Sequence, residues 1–146
     1  MSANTIKFEI VTPEKIVLKE YIVRATIPTK SGEVTILPNH IPLVSILQAG
    51  LIEVEKADGS LDIIALTGGF LEVLSDKIVI LADRARRAAN LDEKEVEEAL
   101  RKAEKAKLEA HHLDDVEFAD ISAKLEVELL KTKAISRWRK IKNLDK

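Results

Sequence analysis

Three groupings in this 146-residue chain have residue types and spacings that could do chemistry. A histidine lies between two prolines in Pro38-Asn39-His40-Ile41-Pro42, a glycine pair stands at Gly68-Gly69, and two histidines are adjacent at His111-His112. They suggest a general base, a phosphate cradle and a metal site, and none completes the set that its chemistry needs. His40 has neither a serine nor an acid at the spacing of a catalytic triad, so it reads as a side chain that orders its loop. Gly68-Gly69 lacks the further glycines or the lysine of a phosphate loop and reads as a strand kink or bulge. Adjacent histidines rarely converge on one ion, and no further ligand is evident, so His111-His112 reads as part of a solvated turn. No catalytic residue, metal site or cofactor is expected.

The remaining signals are structural and electrostatic. Leu91-Asp92-Glu93-Lys94-Glu95-Val96 and Leu113-Asp114-Asp115-Val116-Glu117-Phe118 share the pattern Leu-Asp-x-x-Glu-apolar. It is a capping box with a hydrophobic staple: the Asp oxygen accepts from a free first-turn amide, the Glu reaches back, and the apolar pair clamps the helix start. Two helices therefore begin here, over about 93–110 and 115–141, and the short link makes them an antiparallel hairpin. The first places Val96, Ala99, Leu100, Ala103, Ala106 and Ala110 near one face. The second carries Phe118, Ile121, Leu125 and Leu129 on one stripe and Ala119, Ala123, Val127, Leu130 and Ala134 on an adjoining one. Alanine methyls remove little area from water, so each contributes well below the roughly 1.5–3 kcal/mol of a fully buried Leu. Such a contact can be left at modest cost. Beyond it the chain is basic, with Lys131, Lys133, Arg137, Arg139, Lys140 and Lys142 around Trp138. These residues form either a solvated helix end that complements the negative pole of the dipole or a docking face for an acidic partner, RNA or a membrane surface.

Composition locates the elements that must position these groups. All four prolines and all five glycines lie in residues 1–82, with 7 basic and 10 acidic residues; residues 83–146 hold 16 basic and 15 acidic ones. Val, Ile and Thr, which suit a pleated surface, number 27 before that boundary and 7 after it. The first part should be an antiparallel β-sandwich or flattened barrel of some nine short strands, with Asp58-Gly59 as a hairpin turn. Two strands are expected at about Ile16–Leu18 and Tyr21–Ile27, and the last at 77–82. The division reads as a sandwich over 1–84 and a helical hairpin over 85–146. With no cysteine, disulfides and thiolate zinc sites are excluded. The net charge of −2 argues against whole-protein attraction to nucleic acid. No apolar run approaches the roughly 20 residues of a membrane span, and no signal peptide is visible, so membrane association is expected only through a partner.

The segment Gly32-Glu33-Val34-Thr35-Ile36-Leu37-Pro38-Asn39-His40-Ile41-Pro42-Leu43 closely resembles the Gly-x-x-x-Ile-Leu-Pro-x-His-x-Pro signature of the epsilon subunits of bacterial and plastid F-type ATP synthases. The similarity continues through Gly68-Gly69-Phe70-Leu71-Glu72-Val73 and Ala82-Asp83-Arg84-Ala85 into the hairpin. The resemblance implies a non-catalytic part of the central stalk in a complex that couples proton, or sometimes sodium, flow and rotation to ATP synthesis. It implies a sandwich that binds the gamma subunit and the c-subunit ring, with Glu33, Leu37, Pro38, His40 and Pro42 as candidate contacts. It also implies a hairpin that can extend among the α and β subunits to restrain ATP hydrolysis, with Lys131, Lys133, Arg137, Arg139 and Lys140 facing an acidic segment of β. By the same resemblance the complex lies on the cytoplasmic face of the bacterial plasma membrane. Some relatives bind ATP through (Ile/Leu)-Asp-x-x-Arg-Ala; here Glu95 and Val96 replace the Arg and Ala, and Arg86 replaces an upstream acid, so this mode of ATP binding is not expected. The alternative is an adaptor that binds RNA or an acidic protein through the basic terminal helix; scarce stacking aromatics and competing acids disfavour it.

Overall fold

A computed structural model describes residues 4–110 and 114–144. The expected His111-His112 turn falls outside the described residues. The strands are β1 (Ile6–Val11), β2 (Ile16–Thr29), β3 (Gly32–Ile36), β4 (Leu43–Leu47), β5 (Gly50–Lys56), β6 (Leu61–Leu66), β7 (Gly69–Val73), β8 (Lys77–Ala82) and β9 (Ala85–Arg87). A 3-10 turn, Ala88–Asn90, leads to helices α1 (Glu93–Leu108) and α2 (Asp115–Leu144). This is a β-sandwich followed by two helices, as expected from the sequence.

One layer runs β1-β8-β7-β4 and the other β2-β5-β6-β9, with β3 on β2. The long strand β2 belongs to both: it pairs with β1 through Ile16 to Ile22, with β5 farther on, and with β4 at Thr29. Alternation puts Ile6, Phe8 and Ile10 inward from β1, and Ile52 and Val54 inward from β5, between the layers. Along β2 the inward residues are Leu18, Ile22, Ala25 and Ile27, so the period slips once. The slip is a bulge between Ile22 and Arg24, where an extra residue flips the phase and keeps both halves facing the core. The sequence reading breaks this segment into two strands at Lys19-Glu20; those residues pair regularly with β1, and Ile16–Thr29 is one strand whose bulge lies beyond that break.

Two further expectations are corrected. The β1–β8 pair is parallel, within an otherwise antiparallel set. The strand path also continues past 82 into β9, which pairs with β6 although Arg86 and Arg87 give no β signal. Asp58-Gly59 does turn the β5–β6 hairpin: Ser60 donates its hydroxyl and its amide to Asp58 Oδ1 at 2.6 and 2.9 Å. Those bonds hold the Asp58 carboxyl below its ordinary pKa.

Gly69 starts β7 at φ 136°, and a Cβ there would lie 2.0 Å from the Leu81 carbonyl oxygen on β8. The glycine pair is therefore a kink that lets two backbones approach, and no phosphate cradle.

The helices are folded down against the sandwich. Asp92 Oδ1 accepts from the amides of Lys94 and Glu95, and Asp114 Oδ1 accepts from that of Glu117, which is the Asp half of both expected caps. The hairpin is antiparallel: Lys107 near the end of α1 sits 6.0 Å from the Phe118 ring at the start of α2, and Glu93 at the start of α1 pairs with Arg139. From α2, Leu130, Ala134, Trp138 and Ile141 cover Ile63 and Ala65 on the outer face of β6. Consequently β6 is buried on both faces from Asp62 to Leu66. Trp138, which the sequence offered as a docking residue, packs in this contact with Lys142 Nζ 5.2 Å above its ring.

On the side of β6 away from α2, an ion chain crosses four strands. Arg87 donates to Asp62 Oδ2 from Nε at 3.0 Å and Nη2 at 2.7 Å; Lys56 lies 3.8 Å from the same oxygen and 3.4 Å from Glu20. Asp62 is only 1% exposed. Removing its main partner strands a carboxylate away from water, so Arg87→Ala should cost about 3 kcal/mol in urea unfolding. Asp62→Ala should cost less, because the part-exposed Arg87 side chain can turn to solvent.

Candidate partner-binding surfaces

The loop after β3 presents the first surface. Asn39 takes φ 66°, a left-handed conformation that Asn tolerates well. The His40 amide donates to the Leu37 carbonyl at 3.2 Å, and His40 Nδ1 lies 2.6 Å from the Ile41 carbonyl oxygen, so Nδ1 carries the hydrogen. His40 therefore orders the loop. In doing so it holds Ile41 outward, 75% exposed, with Leu37 and Pro42 also exposed, Pro38 and His40 half-buried, and Glu33 exposed on β3. Leu37, Pro38, His40 and Pro42 thus share one loop, from which Leu37 and Ile41 project into water, whereas Glu33 lies at the other end of β3, beside the turn from β2.

A second surface went unnoticed in the sequence. Residues opposite each other in register point to the same face of a sheet. Ile46 on β4 is opposite Phe70 on β7, Phe70 opposite Leu81 on β8, Leu81 opposite Val11 on β1, and Val11 opposite Ile16 on β2. These five apolar residues form a row across the outside of the β1-β8-β7-β4 layer. Val44, two residues along β4, is 73% exposed, and Phe70 is 58% exposed. Contiguous exposed apolar surface of this kind marks an interaction site. A sequence signal existed: Leu43-Val44-Ser45-Ile46-Leu47 and Ile78-Val79-Ile80-Leu81 are apolar on both faces, which a strand with one solvated face does not need. The same signal in Ile63-Ile64-Ala65-Leu66 is answered by α2; here no described residue answers it.

The third surface is the basic half of α2, and its five candidates are not equivalent. Arg137 Nη2 donates to Glu53 Oε2 on β5 at 3.1 Å, and Arg139 pairs with Glu93. Lys131 pairs with Glu128 one turn back at 3.3 Å. Lys133 and Lys140 are exposed and make no ion pair among the described residues. Nearer the middle of α2, at Val127 to Lys131, a cleft of about 360 Å³ against the sandwich is lined by Lys15, Arg84, Arg86 and Lys131, with Glu14 and Asp83. Glu95 is exposed on α1 and does not line it, and Asp92 is engaged as a helix cap. Among the described residues no group of three or more His, Asp or Glu side chains is placed to hold a metal ion, and no helix is long and apolar enough to cross a membrane.

Comparison with known proteins gives a consistent answer. Residues 5–88 match the family model of the β-sandwich domain of the ATP synthase delta/epsilon chain. The ATP synthase epsilon chain of Chloroflexus aggregans is 39% identical over 137 residues, covering 94% of this chain and 96% of that one. That of Herpetosiphon aurantiacus is 40% identical over 117 residues, covering 80% and 85%. A chain in a structure of the Euglena gracilis mitochondrial ATP synthase has the same fold, with a TM-score of 0.74 at 24% identity over 92% of this chain and 83% of its own.

Proposed function

The chain belongs to the family of ATP synthase epsilon chains, and on that footing we propose that it is a non-catalytic subunit of the central stalk, coupling ion translocation and rotation to ATP synthesis. The observation that carries this is the similarity along almost the whole chain, hairpin included.

Within that role the surfaces divide by permanence. The apolar row through Ile46, Phe70 and Leu81 suits a lasting contact, and we assign it to the gamma subunit. The loop with Leu37, Pro38, His40 and Pro42, together with Glu33, is narrower and mixed in polarity; we assign it to the c-subunit ring, with gamma at its border. Membrane contact then comes only through the complex, at the cytoplasmic face of the membrane. We assign the basic residues of α2 to an acidic segment of β, reached when the hairpin leaves the sandwich. The contact it would leave joins Leu130, Ala134, Trp138 and Ile141 to Ile63 and Ala65, and a switch of this kind needs its two states to lie within a few kcal/mol of each other. An ATP site in the manner of some relatives is not proposed, because Glu95 would repel a polyphosphate.

Reconstitution with α, β and gamma subunits tests the main reading: stoichiometric binding to gamma is expected, and failure to bind would sink it. The division between a sandwich for assembly and a hairpin for regulation is tested by stopping the chain after Arg87, which keeps β9 and its clasp to Asp62. Assembly should persist. If the extended hairpin restrains half of the complexes, hydrolysis should rise about twofold, and more for a larger share; an unchanged rate counts against regulation by the helices.

A further inference from the structure

The two arginines on the basic face of α2 are already engaged by carboxylates of their own chain. Arg137 reaches Glu53 on β5, and Arg139 reaches Glu93 at the first turn of α1. Both pairs bridge separate elements, and both lie at the wet margin of the α2 contact, with side chains 28–56% exposed. Lys133 and Lys140 on the same stretch are exposed and unpaired among the described residues. The face therefore has two classes of cation, one free and one occupied.

We propose that Glu53 and Glu93 stand in for an acidic partner segment, so that the folded-down hairpin and that partner compete for the same two guanidinium groups. A guanidinium meets a carboxylate through a fixed planar fork, and a fork filled by one carboxylate is withdrawn from another. The free lysines receive an approaching acidic segment by long-range attraction. Docking is completed only when Arg137 and Arg139 exchange carboxylates, and that exchange removes the charged tie of α2 to β5 of the sandwich and its charged tie to α1 within the hairpin. This inference rests on the reading of α2 as a reversible element and adds the residues that set its threshold. Exposed pairs are individually weak, so the exchange is reversible at either end.

The chain contains one tryptophan, Trp138, and it lies within the α2 contact, so its emission reports whether the helix is seated. The test titrates the isolated full-length chain with a decaglutamate peptide at low salt. Expected results are a red shift of Trp138 emission on saturation, and binding roughly fivefold tighter for E53Q/E93Q than for wild type, from release of two exposed pairs. The control is E97Q/E98Q, which changes net charge equally at exposed α1 positions without ion pairs among the described residues, and it should bind like wild type. Equal affinity of wild type and E53Q/E93Q would overturn the proposal. So would equal tightening by the control, or peptide binding that leaves Trp138 emission unchanged. The stalk assignment fails separately, in the gamma-binding assay, and the peptide titration is independent of that result.

Discussion

Gly69→Ala should cost the sandwich about 4 kcal/mol, combining a strained left-handed backbone with overpacking between two strands. The added methyl has no escape: it would meet the Leu81 carbonyl oxygen at 2.0 Å and the Ala82 Cα at 2.9 Å, both backbone atoms in the β8 ladder. Relief requires parting β7 from β8, and β8 is also the neighbour of β1. A loss of that size approaches the whole stability of many domains. The expected observation is a large fall in the urea midpoint, or an insoluble product. Gly32→Ala is the matched control, since it also has positive φ but open space around it, and it should lose only the strain part. Equal midpoints for the two variants would refute the steric argument.

The second large effect is on assembly. Phe70→Glu should weaken binding to the gamma subunit at least about a hundredfold, the loss typical of a central aromatic anchor, because it places a charge in the middle of the apolar row. Folding should be nearly untouched, with a change within about 0.5 kcal/mol, since Phe70 faces water in the isolated chain. Its neighbours Ile46 and Leu81 should give smaller losses of the same kind. Gel filtration of chain mixed with gamma separates the outcomes: wild-type co-elution by a folded Phe70→Glu protein would remove the row from the interface. Leu37→Ala and Ile41→Ala, on the loop assigned to the ring, should leave that co-elution largely intact.

Much of this was legible in the chain because the dominant signals were strong. The β-branched residues and the glycine and proline punctuation end where the helices begin, and two Leu-Asp-x-x-Glu caps mark both helix starts to the residue. What escaped had weak or misleading local signals. The charged pair Lys19-Glu20 interrupts the apolar run of β2 just as a loop would, so one strand reads as two, and the bulge beyond it left no sign. Strand β9 is held by its ladder to β6 and by the clasp of Arg87 on Asp62, and a short arginine-rich segment gives no sign of either. The apolar row escaped for a different reason: its members lie on five strands, and register, which brings them into line, is a long-range property. Arg137 and Arg139 were recognisable as part of a basic face, but their engagement by Glu53 and Glu93 depends on how the hairpin sits.

The double membership of β2 has a mechanical side. Its first half is hydrogen-bonded to β1 in the layer that carries the apolar row, and its second half to β5, beside the strand on which α2 rests. A twisting load applied to one layer need not cross the core as sliding between side chains. It travels as tension along a covalent backbone, shared among ladders that act in shear at both ends. In a subunit that turns with a shaft, such a strand is a stiff strut, and the bulge near its middle is the place where that strut has give.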